Sequence, residues 1–321
     1  MGSLKSPTRV RWPSWGTGYT TALFLIVALV FSHSARAQIA IASQDGKLAL
    51  PAYWFKADAK LPRPAIIALH GCGGALDAKS QLNPIWRRYA GYFNAEHMHF
   101  VVLDSFTPRG LTSICATPST RRTVQEDDRR EDVFAAIAWL AQQPTVDAAR
   151  IIVVGWSHGA QTVLSVLDAT DKFVQAQTNQ PKAAVAFYPG CARQLKMGNY
   201  AIQAPLLVMV GELDDWTLAS NCTGLRDKVM KSRTDAVAGP AFELEVYPGS
   251  YHGFDGLGPV RTLDNVGNTR SGKATVGGNP AAQKASHARL FDFVAAHLNE
   301  PLQLSHEDRL KARPALQFQS P

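Results

Sequence analysis

An alternation constrains this chain more than any other feature. Short strand-like runs, most of them apolar and rich in β-branched residues, lie at 65–69, 100–103, 151–154, 183–187, 206–210 and 242–246. Longer amphipathic stretches separate them, at 83–97, 129–142, 160–170, 224–233 and 280–298. A strand that is apolar at nearly every position has both faces buried, which requires helices on either side of its sheet. Strands that return through helices run parallel, so the pattern predicts a mostly parallel, doubly wound α/β sheet. An alternating stretch at 39–55, broken at Gln44-Asp45-Gly46, predicts an antiparallel hairpin ahead of it. No internal repeat, low-complexity segment or change of composition divides the chain, which reads as one domain. Its 46% hydrophobic and 18% charged residues suffice for a real core. In the stretch 129–142, Val133, Ile137, Trp139 and Leu140 take helical spacing, and the acids and arginines crowding its first turns read as a solvated face. The loop 255–279 is long and Gly-rich, as functional or mobile loops are. The polar segment from Pro301 reads as a poorly ordered tail.

Residues 1–37 contain Lys5, Arg9, Arg11 and Arg36 and no acid. The apolar run ALFLIVALVF at 22–31 is followed by Ala35-Arg36-Ala37. This order matches a signal peptide cleaved after Ala37, and the run is about half the roughly 20 residues a membrane span requires. The expected organisation is a signal peptide at 1–37, a folded domain at 38–300 and a polar tail at 301–321. The chain has 33 basic and 26 acidic residues, a net +7; losing four basic residues with the signal leaves +3. No basic run is interleaved with aromatics, so nucleic acid is not an expected partner, and no stable membrane span remains after cleavage. Export, to the periplasm or beyond, would place Cys72, Cys115, Cys191 and Cys222 in an oxidising compartment. Four cysteines without zinc-ligand spacing then read as two disulfides, with three connectivities open.

The run 151–154 leads directly into Gly155-Trp156-Ser157-His158-Gly159 and then a helix. In that context Gly-x-Ser-x-Gly holds a nucleophile on a strained turn at the C-terminal edge of a sheet. A serine hydroxyl needs a base to take its proton and a carboxylate to orient the base, in the chain order serine, acid, histidine. The run 206–210 ends in Gly211-Glu212-Leu213-Asp214-Asp215. The last run ends in Tyr247-Pro248-Gly249-Ser250-Tyr251-His252-Gly253-Phe254, on the same rim. The expected triad is Ser157, Asp214 and His252, with Asp215 the competing acid; a helix cap for Asp214 and a turn role for His252 are the plainer alternatives. A developing oxyanion needs two backbone N–H donors, expected at His158 and at Cys72 within His70-Gly71-Cys72-Gly73-Gly74. For His158 the backbone matters more than the ring. His70 reads as structural, and His97, His99, His287, His297 and His306 show no ligand spacing, so no metal is expected. The stretch from Gly267 to Lys273 has phosphate-loop spacing, but Ala274 replaces the hydroxyl residue and no strand precedes it; it reads as flexible loop. Phe106, Tyr188, Trp216, Tyr251 and Phe254 stand beside rim motifs and are candidates to line an apolar or aromatic acyl pocket, with core packing the alternative for each.

These motifs, together with Asp104-Ser105-Phe106-Thr107-Pro108-Arg109-Gly110, make the chain resemble the dienelactone hydrolase family of α/β-hydrolases over roughly residues 50–299. The resemblance implies an α/β-hydrolase fold without a large cap domain. It also implies cleavage of a small-molecule ester or lactone through an acyl-enzyme, with no metal or organic cofactor. Two departures stand out. The enzyme that names the family uses a cysteine where this chain has Ser157, and carries a glutamate where Gly71 stands. Dienelactone itself is therefore not the expected substrate. Arg109 is the candidate to hold a substrate carboxylate, as family arginines can; an ion pair that fixes its loop is the alternative. The implied fold pairs Cys72 with Cys115 and Cys191 with Cys222, since each pair follows strands near the catalytic rim. The expected function is an exported serine hydrolase. A secreted peptidase or polyester-degrading esterase would carry the same triad, and a non-catalytic binding protein on this scaffold would have no chemical need for it.

Overall fold

A computed structural model describes residues 2, 38–58, 60–233 and 239–314; the expected signal peptide, apart from Gly2, and residues 315–321 of the tail lie outside them. The chain opens with strands β1 (Gln38–Ala42), β2 (Ala49–Phe55) and β3 (Arg63–Leu69), followed by helix α1 (Pro84–Ala95) and strand β4 (His99–Leu103). Next come α2 (Glu126–Ala141), β5 (Val146–Trp156), α3 (His158–Val166), α4 (Lys172–Gln175), β6 (Ala183–Phe187), α5 (Ala192–Lys196) and β7 (Leu206–Gly211). The remainder is α6 (Ala219–Lys231), β8 (Phe242–Tyr247), β9 (Arg261–Leu263), β10 (Ala274–Val276), α7 (Pro280–Leu298) and α8 (His306–Leu310).

Eight strands form one sheet in the order β1-β2-β4-β3-β5-β6-β7-β8. Pairing is parallel from β4 through β3 and on to β8. It is antiparallel where the N-terminal hairpin joins. The fold is thus the α/β-hydrolase arrangement that the alternation and the resemblance imply. Both faces are buried. Ala65, Ile67 and Leu69 face a core shared with Val133 and Ile137 of α2, Val163 of α3 and Leu225 of α6. Ile66 and Ala68 face the other, with Tyr89 and Phe93 of α1 and Leu290 and Phe291 of α7. Each fully buried Ile, Leu or Phe contributes roughly 1.5–3 kcal/mol, so this two-sided burial holds the sheet rigid beneath its loops. The chain leaves β3 for β4 on one side and returns to β5 on the other. The loops after β3 and β5 therefore diverge at a topological switch point, where open α/β sheets bind ligands.

Local chemistry sets the helix ends. Asn279 caps α7 through the N–H groups of Ala281 and Ala282, with Pro280 in the first turn. Helix α2 begins three residues before the expected Arg129, because the Asp128 carboxylate accepts the Gln125 N–H at 2.7 Å and closes the first turn.

Three expectations are corrected. The first turns of α2 are not a solvated face: Arg129, Arg130 and Asp132 are buried, since that end of the helix packs under the loop after β3. The loop 255–279 holds the two-stranded β9–β10 hairpin, fastened by the Gly277 N–H to the His252 carbonyl at 3.0 Å. Its strands are three residues each and only partly buried, so they lack an apolar signature. The segment from Pro301 is docked through residue 314. Arg309, on α8, donates to buried Glu96 at 2.7 Å and is itself 2% exposed. Among the described residues, no helix is long and apolar enough to cross a membrane.

Candidate active site

Strand β5 ends at Trp156, α3 begins at His158, and Ser157 between them takes φ 54° and ψ −115°. A non-glycine residue pays for this conformation in strain, which the turn's surroundings impose. A Cβ on Gly155 would stand 2.3 Å from the Gly159 oxygen, and one on Gly159 would stand 2.2 Å from the Leu69 oxygen. Both flanking positions therefore require glycine, and the close contact with β3 sets Ser157 against the loop that follows that strand.

The structure brings the three expected residues together. His252 Nε2 lies 2.9 Å from Ser157 Oγ, and its Nδ1 lies 2.8 Å from Asp214 Oδ2. Nδ1–H donates to the carboxylate, which leaves Nε2 free to accept the serine proton. Asp214 also accepts the N–H groups of Trp216 and Thr217 at 2.9 and 2.7 Å, so its turn-capping role coexists with its contact to the histidine. The Thr217 hydroxyl lies 2.8 Å from Asp214 Oδ2 and 3.1 Å from the Tyr188 carbonyl. Burial pushes the Asp214 carboxyl up, but His252 and the Thr217 hydrogen bonds outweigh it and hold the group below its ordinary value. Asp215 is exposed and turns away to the N–H and hydroxyl of Thr275, both at 2.8 Å, so it is not placed to serve His252. The rings of Tyr188 and Trp216 flank the imidazole, with centroids at 4.5 and 4.9 Å.

A cleft of about 1200 Å³ opens at this point, and Ser157, Cys72 and His158 all line it. His158 is the first residue of α3, so its N–H is one the helix ladder does not use. The Cys72 N–H has no acceptor among the described residues. A Cβ at Gly71 would lie 3.3 Å from Ser157 Cβ and 3.9 Å from Oγ, so any side chain at that position would crowd the serine hydroxyl. Cys72 is bonded to Cys115, and Cys191 to Cys222, the expected pairing. The first bond ties the loop after β3 to residues 111–118, and the second ties the start of α5 to α6, just beyond the acid loop.

More polar and charged residues line the cleft than expected. Of the aromatic candidates only Trp216 lines it, beside Ser119, Thr120, Arg122 and Asn268. Phe106 is 1% exposed, Tyr188 6% and Phe254 0%; they pack beneath the site, with Tyr188 Oη bonded to buried Asp255 at 2.8 Å. Tyr251, half-buried, is not part of the wall either. Arg109 does not reach the cleft: it forms a two-pronged pair with Asp132 at 2.8 and 2.9 Å and donates to the Ser105 carbonyl, the loop-fixing alternative. The stretch from Gly267 to Lys273 supplies cleft wall through Asn268, Arg270 and Lys273, and Trp216 Nε1 fastens it at the Gly267 carbonyl, 3.2 Å away. His70 is structural as read, accepting the Ser105 N–H on Nε2 at 3.3 Å.

Three features were missed in the sequence. Thr217 follows the acid by three residues and carries no motif. Asp255 accepts from Tyr89, Trp156 and Tyr188 beneath the site. Arg129 donates to His158 Nδ1 and to the His70 carbonyl, each at 2.8 Å. Its signal was present, since Arg129 precedes Val133 by four residues and so falls on the buried face of α2.

Solved structures that share this fold include two esterases. The thermophilic esterase from the Planctomycetes species Thermogutta terrifontis, with butyrate bound, is 18% identical at a TM-score of 0.55, over 85% of this chain and 98% of that one. Esterase 2 of Thermogutta terrifontis phosphorylated by paraoxon is 19% identical at 0.56, over 84% and 95%. At these identities the likeness is one of fold. The sequence itself matches the model of the dienelactone hydrolase family over residues 111–298, a stretch that holds Ser157, Asp214 and His252. With more than half its length under that match, and a sheet, elbow and rim arranged to suit it, the chain belongs to the dienelactone hydrolase family.

Proposed function

We propose that this chain is an exported serine hydrolase that cleaves carboxylic esters or lactones through an acyl-enzyme. The observation that carries the reading is the line from Asp214 through His252 to Ser157, with contacts of 2.8 and 2.9 Å, at the floor of a cleft. His252 Nε2 takes the hydroxyl proton as Ser157 Oγ attacks the carbonyl carbon, and the N–H groups of Cys72 and His158 receive the oxyanion. Collapse of the tetrahedral adduct breaks the bond to the alkoxy oxygen, and His252 returns the proton to it. For a lactone that alcohol stays tethered to the acyl group. Water then attacks the acyl-enzyme with His252 again as base, regenerating Ser157 and releasing the acid. Asp214 stays ionised throughout, orienting the imidazole and balancing its charge.

Export is part of the proposal, with residues 1–37 as signal peptide and 38–300 as the catalytic domain. The Ala35-Arg36-Ala37 site and the two disulfides support it. The deciding experiment is labelling with a fluorophosphonate probe, since the neighbouring Thermogutta terrifontis esterase is phosphorylated by paraoxon. The parent protein takes the label and hydrolyses short aryl esters in preference to peptide amides, while Ser157→Ala does neither. A folded parent that stays unlabelled removes the assignment. Mass spectrometry of the protein from an exporting host tests the rest, with Gln38 as the expected first residue.

A further inference from the structure

We propose that Arg129 is a positioning residue for the oxyanion hole, one guanidinium that cross-braces the two loops carrying the donors. The inference rests on the serine-hydrolase reading above. Arg129 is fully buried, and its two hydrogen bonds go to neutral acceptors on separate segments. One is His158 Nδ1 at 2.8 Å, on the residue that follows the nucleophile; the other is the His70 carbonyl at 2.8 Å, two residues before Cys72. Among the described residues no carboxylate accepts a hydrogen bond from it: nearby Asp132 is taken up by Arg109, and Glu126 and Asp104 act on it through charge alone. Arg129 Nε has no partner among the described residues. A guanidinium buried on these terms is a poor device for stability, because desolvating it costs more than two neutral acceptors return. What the arrangement achieves is geometric. The elbow and the loop after β3 have no covalent link, yet their N–H groups must converge on one oxygen.

Neighbouring contacts fit this role. Because Arg129 donates to Nδ1, that nitrogen is the acceptor of the His158 ring, and the proton sits on Nε2, 3.6 Å from Glu126 Oε1. Burial, and then Arg129, hold the His158 ring well below its ordinary pKa, so it stays neutral and keeps accepting. Phe106 covers the brace, its ring centroid 5.2 Å from Arg129 Cζ and 4.4 Å from the His70 ring. Donors aligned on the tetrahedral oxyanion stabilise the transition state more than the bound ester, so loosening them appears in kcat and not in KM.

The test compares Arg129→Met with the parent in hydrolysis of a short aryl ester and in inhibition by an alkylboronic acid, which forms a tetrahedral anion on serine. The expected result is a fall in kcat of about 10–100-fold, short of the 10²–10³ lost when a donor is deleted. KM stays within about twofold, and boronate affinity falls in parallel with kcat. Arg129→Lys, with one ammonium for two acceptors, recovers part of kcat. A folded Arg129→Met protein with parental kcat and boronate affinity overturns the proposal, as does a rise in KM at constant kcat. If Arg129→Met does not fold, Arg129→Lys decides: reduced kcat at parental KM supports the brace, and parental kcat refutes it. A parent protein that neither hydrolyses esters nor takes a fluorophosphonate overturns the underlying reading, before any Arg129 variant is compared.

Discussion

Replacing Gly159 with alanine puts a methyl group where nothing can make room for it. The new Cβ would stand 2.2 Å from the Leu69 oxygen and 2.7 Å from the His70 oxygen. The first is more than 1 Å, and the second about 0.8 Å, inside the usual contact distance of about 3.5 Å. Both oxygens belong to backbone, and β3 is paired on one side with β4 and on the other with β5, so the strand cannot step aside. Relief has to come from α3 lifting off the sheet or from the Ser157 turn opening, by on the order of 1 Å. Overpacking by a methyl costs about 1–3 kcal/mol, and contact with fixed backbone places this site at about 3. At roughly 2–4 °C per kcal/mol for a domain of this size, the melting midpoint falls by roughly 6–12 °C. The same displacement separates Ser157 and His158 from the Cys72 loop, and about 1 Å of misplacement costs on the order of 10²-fold in rate. Thermal unfolding by circular dichroism, paired with kcat on a short aryl ester, reads both effects. Gly73→Ala is the control, because no atom lies within 4 Å of its Cβ, and its midpoint stays within about 2 °C of the parent. A Gly159→Ala protein that melts with the parent and keeps its kcat would refute this account of the elbow.

Asp214→Asn keeps a similar shape but cannot hold His252 in the tautomer that accepts the serine proton. Its kcat falls on the order of 10⁴-fold with the fold intact, and a loss under about tenfold would move the acid role elsewhere. Cys115→Ala opens a disulfide spanning 43 residues, worth about 4 kcal/mol on the loop-closure model, and loosens the loop bearing Cys72. Midpoint and kcat both drop, and a variant equal to the parent in each would show that the bond braces nothing. Buried His287 has its pKa lowered from 6.5 to about 4, first by desolvation. The folded protein therefore binds this proton less readily than the unfolded chain. The stabilisation from keeping the ring neutral is present above about pH 6.5 and is lost as pH falls toward about 4, by about 3 kcal/mol over the full shift. His70 and His158 are lowered by burial as well and act in the same direction. Urea midpoints from pH 7.5 to 4.5 should fall less for His287→Gln than for the parent; parallel curves would show that this histidine is not responsible.

The proposed catalytic line was legible because each of its members sits at the end of a strand. Ser157 follows β5 in a pentapeptide whose glycines answer a backbone contact, and Asp214 and His252 follow β7 and β8 in the order this sheet requires. What surrounds them was less legible. Phe106, Tyr188 and Phe254 adjoin the same motifs as Trp216, yet they pack under the site while Trp216 lines the cleft. Neighbourhood along the chain places a backbone on the rim, but it does not say on which side of that backbone a ring falls. Arg109 and Arg129 show the same limit. Their roles depend on Asp132, His158 and the His70 carbonyl, partners far along the chain that only packing brings within hydrogen-bond reach.

Sequence alone determined the doubly wound sheet, the elbow, and the serine and histidine of the proposed triad, and it narrowed the acid to two neighbours. Those features follow from apolar periodicity and from turn chemistry within a few residues, which act before any distant contact forms. Tertiary structure decided that Asp214, not Asp215, faces the imidazole, that mostly polar and charged residues line the cleft, and which acceptors Arg129 of α2 meets. Each of these depends on where side chains from separate segments point once the sheet has closed over its helices, and no local pattern encodes that direction.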